Sequence, residues 1–247
     1  AVARRFAAEG AAVAICDVVP VEVLEEQVGS KIRQAGGRVI CFQTDVADEV
    51  QVNAMVEETL AQFGTIDILA NVVGIAGPTK DVWDMSLAEW KLTLDVNLDS
   101  LFLCSKAVLP VMVEKRYGKI INFSSATGKQ PLSHRAPYAT SKMGVIGFTR
   151  TLAADVGNYN INVNAVCPGL LWTPMWEQVG QRYAGHNKDY AGLGAREVFD
   201  RMIADVIPLG REQTPEDIGD AVSFLVSDDA HNITGQALNI DGGAFLR

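Results

Sequence analysis

The chain has 247 residues, 48% of them hydrophobic, and a formal net charge of −9. That length suits one large domain or two small ones with a sizeable buried core, and the composition excludes a disordered chain. The acidic balance argues against a nucleic-acid partner, which would need a basic stripe, and no apolar run approaches membrane-spanning length.

Helical and strand-like segments alternate from end to end. Val2, Phe6 and Ala7 make a helical face that stops near Gly10, and Ala11 to Cys16 is a short apolar strand ending at Asp17. Glu22 to Ala35 predicts a charged amphipathic helix closed by Gly36-Gly37. Arg38 to Gln43 predicts a strand ending at Thr44-Asp45. Glu49 to Phe63 reads as a helix ending at Gly64, and Ile66 to Val73 as a strand running into Gly74 and Gly77. A long helical region, Leu87 to Lys115, is expected to be interrupted near Pro110. Ile120-Ile121-Asn122-Phe123 is a buried strand, followed by a helix from Tyr138 to about Val156 and a strand from Ile161 to Val166 closed by Pro168-Gly169. A polar and aromatic stretch, about 173–208, reads as a lid with short helices. Pro215 to Leu225 is a helix, and Gln236 to Ile240 a last strand. Repeated strand–helix units with no internal linker predict a single domain over 1–247: an α/β, doubly wound parallel sheet with helices on both faces.

The four cysteines show neither metal spacing nor Cys-x-x-Cys, and His134, His186 and His231 are scattered, so no metal site is expected. The opening residues have a basic pair but no uninterrupted apolar stretch before Glu9, which is no signal peptide and leaves the cytosol as the default.

The most informative pattern is Tyr138 with Lys142 four residues on, one face of a helix, and Ser125 at the carboxyl end of the preceding strand. Ligands bind at that end of open α/β sheets. A lysine ammonium stabilises a phenolate, and a serine hydroxyl can hydrogen-bond the oxygen that gains or loses a proton. Together they predict a proton-transfer site for a carbonyl/alcohol pair.

In order and spacing, Asp17, Thr44-Asp45-Val46, Asn71-Val72-Val73-Gly74, Val96-Asn97-Leu98, Ser125, Tyr138 with Lys142, Pro168-Gly169 with Thr173, and Asp241-Gly242-Gly243 resemble the short-chain dehydrogenase/reductase family along essentially the whole chain. The resemblance implies a Rossmann-like fold and hydride transfer to or from a nicotinamide. It implies Tyr138 as general acid/base, Lys142 on the nicotinamide ribose, Ser125 orienting the substrate oxygen and Asn97 supporting a water relay. Asp45, Val46, Asn71, Gly74, Pro168, Gly169, Leu171 and Thr173 would border the cofactor. Asp17, a carboxylate with no arginine beside it, would accept bonds from the adenosine ribose and repel a 2′-phosphate, which favours NAD. Thr127, His134, Trp172, Met175 and Trp176 are candidate pocket walls.

Two departures stand out. Val73 replaces the family's small alanine, and the family's first strand with its glycine-rich turn has no counterpart. Ala1-Val2-Ala3-Arg4 resembles the stretch immediately after that turn. The expectation is therefore a chain truncated at its start. The strands at Ala12–Cys16 and Ile66–Val73 should then fail to pair, with no well-bound dinucleotide.

The long lid favours a small secondary alcohol or polyol and its ketone. The alternative is a 3-oxoacyl-(acyl-carrier-protein) reductase, less favoured because the surface is acidic and Tyr159 stands where a second arginine would be expected beside Arg116. A rival from another class is a catalytically idle nucleotide-binding or interaction protein of the same fold. Apolar surface around Leu98–Val113 and Met143–Val156 predicts pairing across a two-fold into a homodimer or homotetramer.

Overall fold

A computed structural model describes residues 1–186 and 188–246. In chain order the elements are α1 (Val2–Ala8), β1 (Ala12–Asp17), α2 (residues 21–34), β2 (Arg38–Gln43), α3 (Glu49–Phe63) and β3 (Ile68–Asn71). They continue with α4 (Leu87–Lys115), β4 (Gly118–Phe123), α5 (Ala136–Val156) and β5 (Ile161–Pro168). The chain closes with α6 (Pro174–His186), α7 (Ala195–Val206), α8 (Pro215–Val226) and β6 (Ala237–Ile240).

Local chemistry sets several helix boundaries. Asp48 caps α3 by accepting from the Val50 and Gln51 amides, and Gly64 at φ 78° ends it. Capping boxes of Ser86 with Glu89 and Thr214 with Asp217 start α4 and α8. Two helices carry π turns, Glu25–Gly29 inside α2 and Asp95–Asp99 inside α4. The helix α4 runs straight through Pro110, against the expected interruption there. Its hydrogen-bond pattern changes instead at Asp95–Asp99, the turn that carries Asn97.

All strands are parallel. The order is β1–β2 in one sheet and β3–β4–β5–β6 in the other. As expected, β1 and β3 do not pair, and among the described residues no strand lies between them. The alternation along β4 and β5 sorts the core onto two faces. Ile121 and Val166 join Phe6 of α1 and Ile218, Val222 and Leu225 of α8. Ile120 and Val163 join Val56 of α3, Val108 and Met112 of α4, and Leu152 and Val156 of α5. Both sheet faces are thus covered, and the carboxyl ends of β3, β4 and β5 meet the start of α5.

One expectation needs correction. Helix α4 spans 29 residues with a mean hydropathy of 1.5 in its most apolar window, which by length and composition could cross a bilayer. The polar residues of the π turn break the run by eye but leave its average high. In the structure 39% of that window is buried, with Val108 and Met112 in the core shared with α3 and α5.

Candidate active site

The strand β4 is buried along most of its length and delivers Ser124 and Ser125 to its carboxyl end. Ser124 Oγ donates to the Lys142 carbonyl at 2.7 Å, pinning α5 against the strand end. Ser125 Oγ accepts from the Thr127 amide at 3.1 Å, and its own proton remains available to a substrate oxygen. Helix α5 begins two residues before Tyr138, so Tyr138 and Lys142 occupy its first turns on one side. The Lys142 ammonium sits 5.9 Å from the centre of the Tyr138 ring.

Lys142 is buried, and burial lowers its pKa from 10.5 to about 8. Its ammonium donates to the Phe123 carbonyl at 2.8 Å and to the Val73 carbonyl at 3.4 Å. An ammonium has three donors, so one remains for a ligand hydroxyl. Gly74 makes room here: a Cβ at that position would lie 3.1 Å from Lys142 Nζ and 3.4 Å from Asn97 Oδ1. Asn97 is fully buried. Its carbonyl oxygen accepts from the Ile75 amide at 2.7 Å, and its amide donates to the Ile75 carbonyl at 3.0 Å and to Ser141 Oγ at 3.1 Å. Asn97 therefore clamps the loop after β3 to α5.

The residues expected to border a cofactor fall into two kinds. Asp17 ends β1 with an exposed carboxylate, which accepts a local hydrogen bond from the Val19 amide at 3.3 Å. Gly74 and Lys142 face each other across the strand ends, as above. Exposed carboxylate, small residue and spare ammonium donor fit a ligand bearing ribose hydroxyls. The others also have structural work. Asp45 accepts from the Ala47 amide, Val46 is packed in a small core with Val52 and Cys104, and Asn71 donates to Asn122 Oδ1 at 2.9 Å. Pro168 ends β5, and the Gly169 amide is shared between Gln213 Oε1 and the Ile240 carbonyl. Leu171 bridges to Gln213, and Thr173 Oγ1 accepts from the Trp176 amide at the start of α6.

The candidate pocket walls divide too. Trp176 is 9% exposed and packs edge-on against Phe199 of α7 at 4.8 Å, in the core of the lid. Trp172 also meets Phe199, at 5.3 Å, but stays half-buried, as does Met175. Thr127 is buried in the turn after Ser125. His134 is exposed, holds φ 61° and pairs through Nδ1 with Asp81 at 2.9 Å.

Four polar residues near the site escaped the sequence reading. Asn122 and Thr149 continue the buried chain from Asn71, with Asn122 Nδ2 donating to Thr149 Oγ1 at 3.0 Å. Asn122 was visible as the one amide in an apolar strand. Ser141 links Asn97 to the Tyr138 carbonyl, to which it donates at 2.8 Å. Arg135 lies over the Tyr138 ring, its guanidinium carbon 4.2 Å from the ring centre, and nothing in the surrounding polar loop marks it out. Among the described residues no cluster of His, Cys, Asp or Glu could hold a metal ion.

The family model described as enoyl-(acyl carrier protein) reductase matches residues 1–244. A granaticin polyketide synthase protein of Streptomyces violaceoruber, whose name gives it as a candidate ketoacyl reductase, is 40% identical over 98% of this chain and 87% of its own. A variant of the actinorhodin polyketide ketoreductase, solved with NADPH, superposes with a TM-score of 0.91 at 34% identity, covering 100% of this chain and 92% of its own. NAD+-bound xylitol dehydrogenase also gives 0.91, at 32% identity and coverage of 98% and 92%. With its parallel sheets, covering helices and serine–tyrosine–lysine grouping, the chain belongs to the short-chain dehydrogenase/reductase family, oxidoreductases that use nicotinamide cofactors.

Proposed function

We propose that the protein transfers hydride between NAD(H) and a small secondary alcohol or polyol and its ketone. The observation that carries this reading is the placement of Tyr138 and Lys142 on one side of α5, at the strand end that presents Ser125. A nicotinamide, when bound, supplies or takes the hydride. The residues handle the proton. In the reducing direction the Tyr138 hydroxyl gives its proton to the ketone oxygen, which Ser125 holds by a hydrogen bond. Lys142, fixed by the Phe123 and Val73 carbonyls, has one donor left that would hold the ribose of such a cofactor. Asn97 keeps the Gly74–Ile75 loop at the distance that leaves room for that sugar. The lid residues of α6 and α7 exclude water.

Asp17 supports NAD over NADP, because its exposed carboxylate would accept ribose hydroxyls and repel a 2′-phosphate. A second reading, reduction of a 3-oxoacyl thioester, is favoured by the granaticin relative. Against it, Arg116 donates to the Asn158 carbonyl at 2.6 Å and lies over the Tyr159 ring, which engages the arginine that the resemblance sets against an acidic carrier protein. Assembly into a dimer or tetramer accords with the exposed Leu92 and Phe102 on α4 and Met143 on α5.

The test is a panel of secondary alcohols, polyols, their ketones and acetoacetyl thioesters, each assayed with both cofactors. Turnover of small alcohols with NAD is expected, with Asp17→Ser weakening NAD and relaxing the rejection of NADP. Efficient reduction of thioesters alone would install the second reading, and a preference for NADPH would remove the role given to Asp17.

A further inference from the structure

Arg135 is the residue whose surroundings the proposed chemistry leaves unexplained. It is 8% exposed, directly before α5, and makes no capping contact. Its Nε is sealed from solvent with no hydrogen-bond partner. Among the described residues no carboxylate pairs with it. The groups it feels are the phenols of Tyr138 and Tyr183 and a second cation, Arg182, and burial lowers its pKa. A buried arginine with an orphaned Nε and no facing carboxylate is an unfinished site, because such charges persist in proteins when paired. Its contact with Tyr138, a cation over a ring face, supplies no acceptor for its N–H groups.

The position matters as much as the charge. The ring that Arg135 covers belongs to the acid/base of the proposed reaction. Helix α6 of the lid brings Tyr183 and Arg182 near it. Arg182 donates to the Gly77 carbonyl and Thr79 Oγ1, both at 3.3 Å, so the lid is tied across the cleft to the loop after β3. Two cations, Arg135 and Arg182, thus lie close together beside the Tyr138 ring in a protein of net charge −9.

We propose that Arg135 receives a carboxylate of the substrate, so that the reacting compound is a small hydroxy acid and its oxo acid. The planar fork of the guanidinium matches the two carboxylate oxygens. A carboxylate there, with the reacting oxygen on Tyr138, calls for a short spacer between acid and carbinol carbon. The proposal rests on Tyr138 as the reacting group and narrows the substrate of that same site.

Two measurements test it. The first compares 2- and 3-oxo acids of four to six carbons with their methyl esters, in the wild type, Arg135→Gln and Arg135→Lys. The wild type should favour the acids by about 100-fold in kcat/KM. Arg135→Gln should lower kcat/KM for the acids far more than for the esters and so level the two, and Arg135→Lys should restore part of the preference. The second is thermal unfolding with the corresponding hydroxy acids, which needs no turnover. The acids should raise the wild-type Tm and leave Arg135→Gln unmoved, while the methyl esters move neither. Without ligand, Arg135→Gln loses the contact with the Tyr138 ring but also a buried uncompensated charge, so its Tm should stay close to that of the wild type. A wild type that treats acids and esters alike, or a Tm that no acid raises, overturns the proposal even if neutral alcohols are oxidised and the parent reading stands. An acid-dependent rise in Tm that requires Arg135, without turnover of any compound, would keep the carboxylate site and sink the hydride-transfer reading instead. A drop in Tm for Arg135→Gln with an unchanged acid-to-ester ratio would make Arg135 a prop for the Tyr138 ring and overturn the proposal.

Discussion

Lys142 is a cation that the fold encloses entirely, and this has a measurable consequence. Its pKa is about 8 in the folded chain against 10.5 for a solvated lysine. Between those values the unfolded chain binds the proton more tightly. Its stability contribution therefore rises with pH across that window, and the full cost of the buried charge is present below pH 8. Methionine at this position fills similar space without the charge. The advantage of Lys142→Met over wild type in unfolding free energy should shrink by about 3 kcal/mol between pH 7 and pH 10.5. A difference that stays flat over that range would show that the ammonium is solvated. The sequence disclosed Tyr138, Lys142 and Ser125 because helix spacing and a strand end are local properties. Arg135 stayed hidden because burial of a loop arginine depends on where α6 lies, and nothing in Ser133-His134-Arg135 encodes that.

The elements around the site show where periodicity is informative and where it fails. Strand β2 was legible to the residue, since Gly36-Gly37 and Thr44-Asp45 punctuate it on both sides. The π turn at Asp95–Asp99 was not, because a change of hydrogen-bond partner within a helix barely alters the spacing of apolar residues. Yet that turn places Asn97 against Ile75 and Ser141. Pro110 was read as a break by the usual rule, but packing of Val108 and Met112 on both sides of it holds α4 together. The tight meeting of α4, α5 and the loop after β3 predicts the effect of Gly74→Ala. Its Cβ forces Lys142 Nζ or Asn97 Oδ1 to give way by a few tenths of an ångström. Steady-state kinetics should show turnover reduced by roughly 10-fold with the fold retained, a cost of misplacing reacting groups. Unchanged turnover would mean that the loop adjusts freely.

On the scale of the whole molecule, the strand–helix alternation yielded the class of fold and the covering of both sheet faces, while the resemblance to the family, less its first strand and glycine-rich turn, yielded the separation of β1 from β3. The bilayer-compatible length of α4 went unread, because three polar residues interrupt it in sequence while tertiary packing decides which of its sides is covered. Leu92 and Phe102 are 57% and 50% exposed on that helix, and Met143 is 51% exposed on α5. If a second copy covers this surface, sedimentation equilibrium should return a dimer or tetramer, and Leu92→Glu with Phe102→Glu should release monomers. A wild-type monomer at micromolar concentration would contradict the two-fold pairing.

Proton transfer at this site turns on one hydroxyl, that of Tyr138. The most direct measurement is the steady-state rate of Tyr138→Phe with NAD(H) and the best substrate from the panel, with circular dichroism confirming the fold. Removing the proton donor while keeping the ring and its contact with Arg135 should reduce turnover by roughly 10²–10⁴. Turnover close to that of the wild type would contradict the assignment of Tyr138 as acid/base, and with it the reading of Ser125 and Lys142 as its partners.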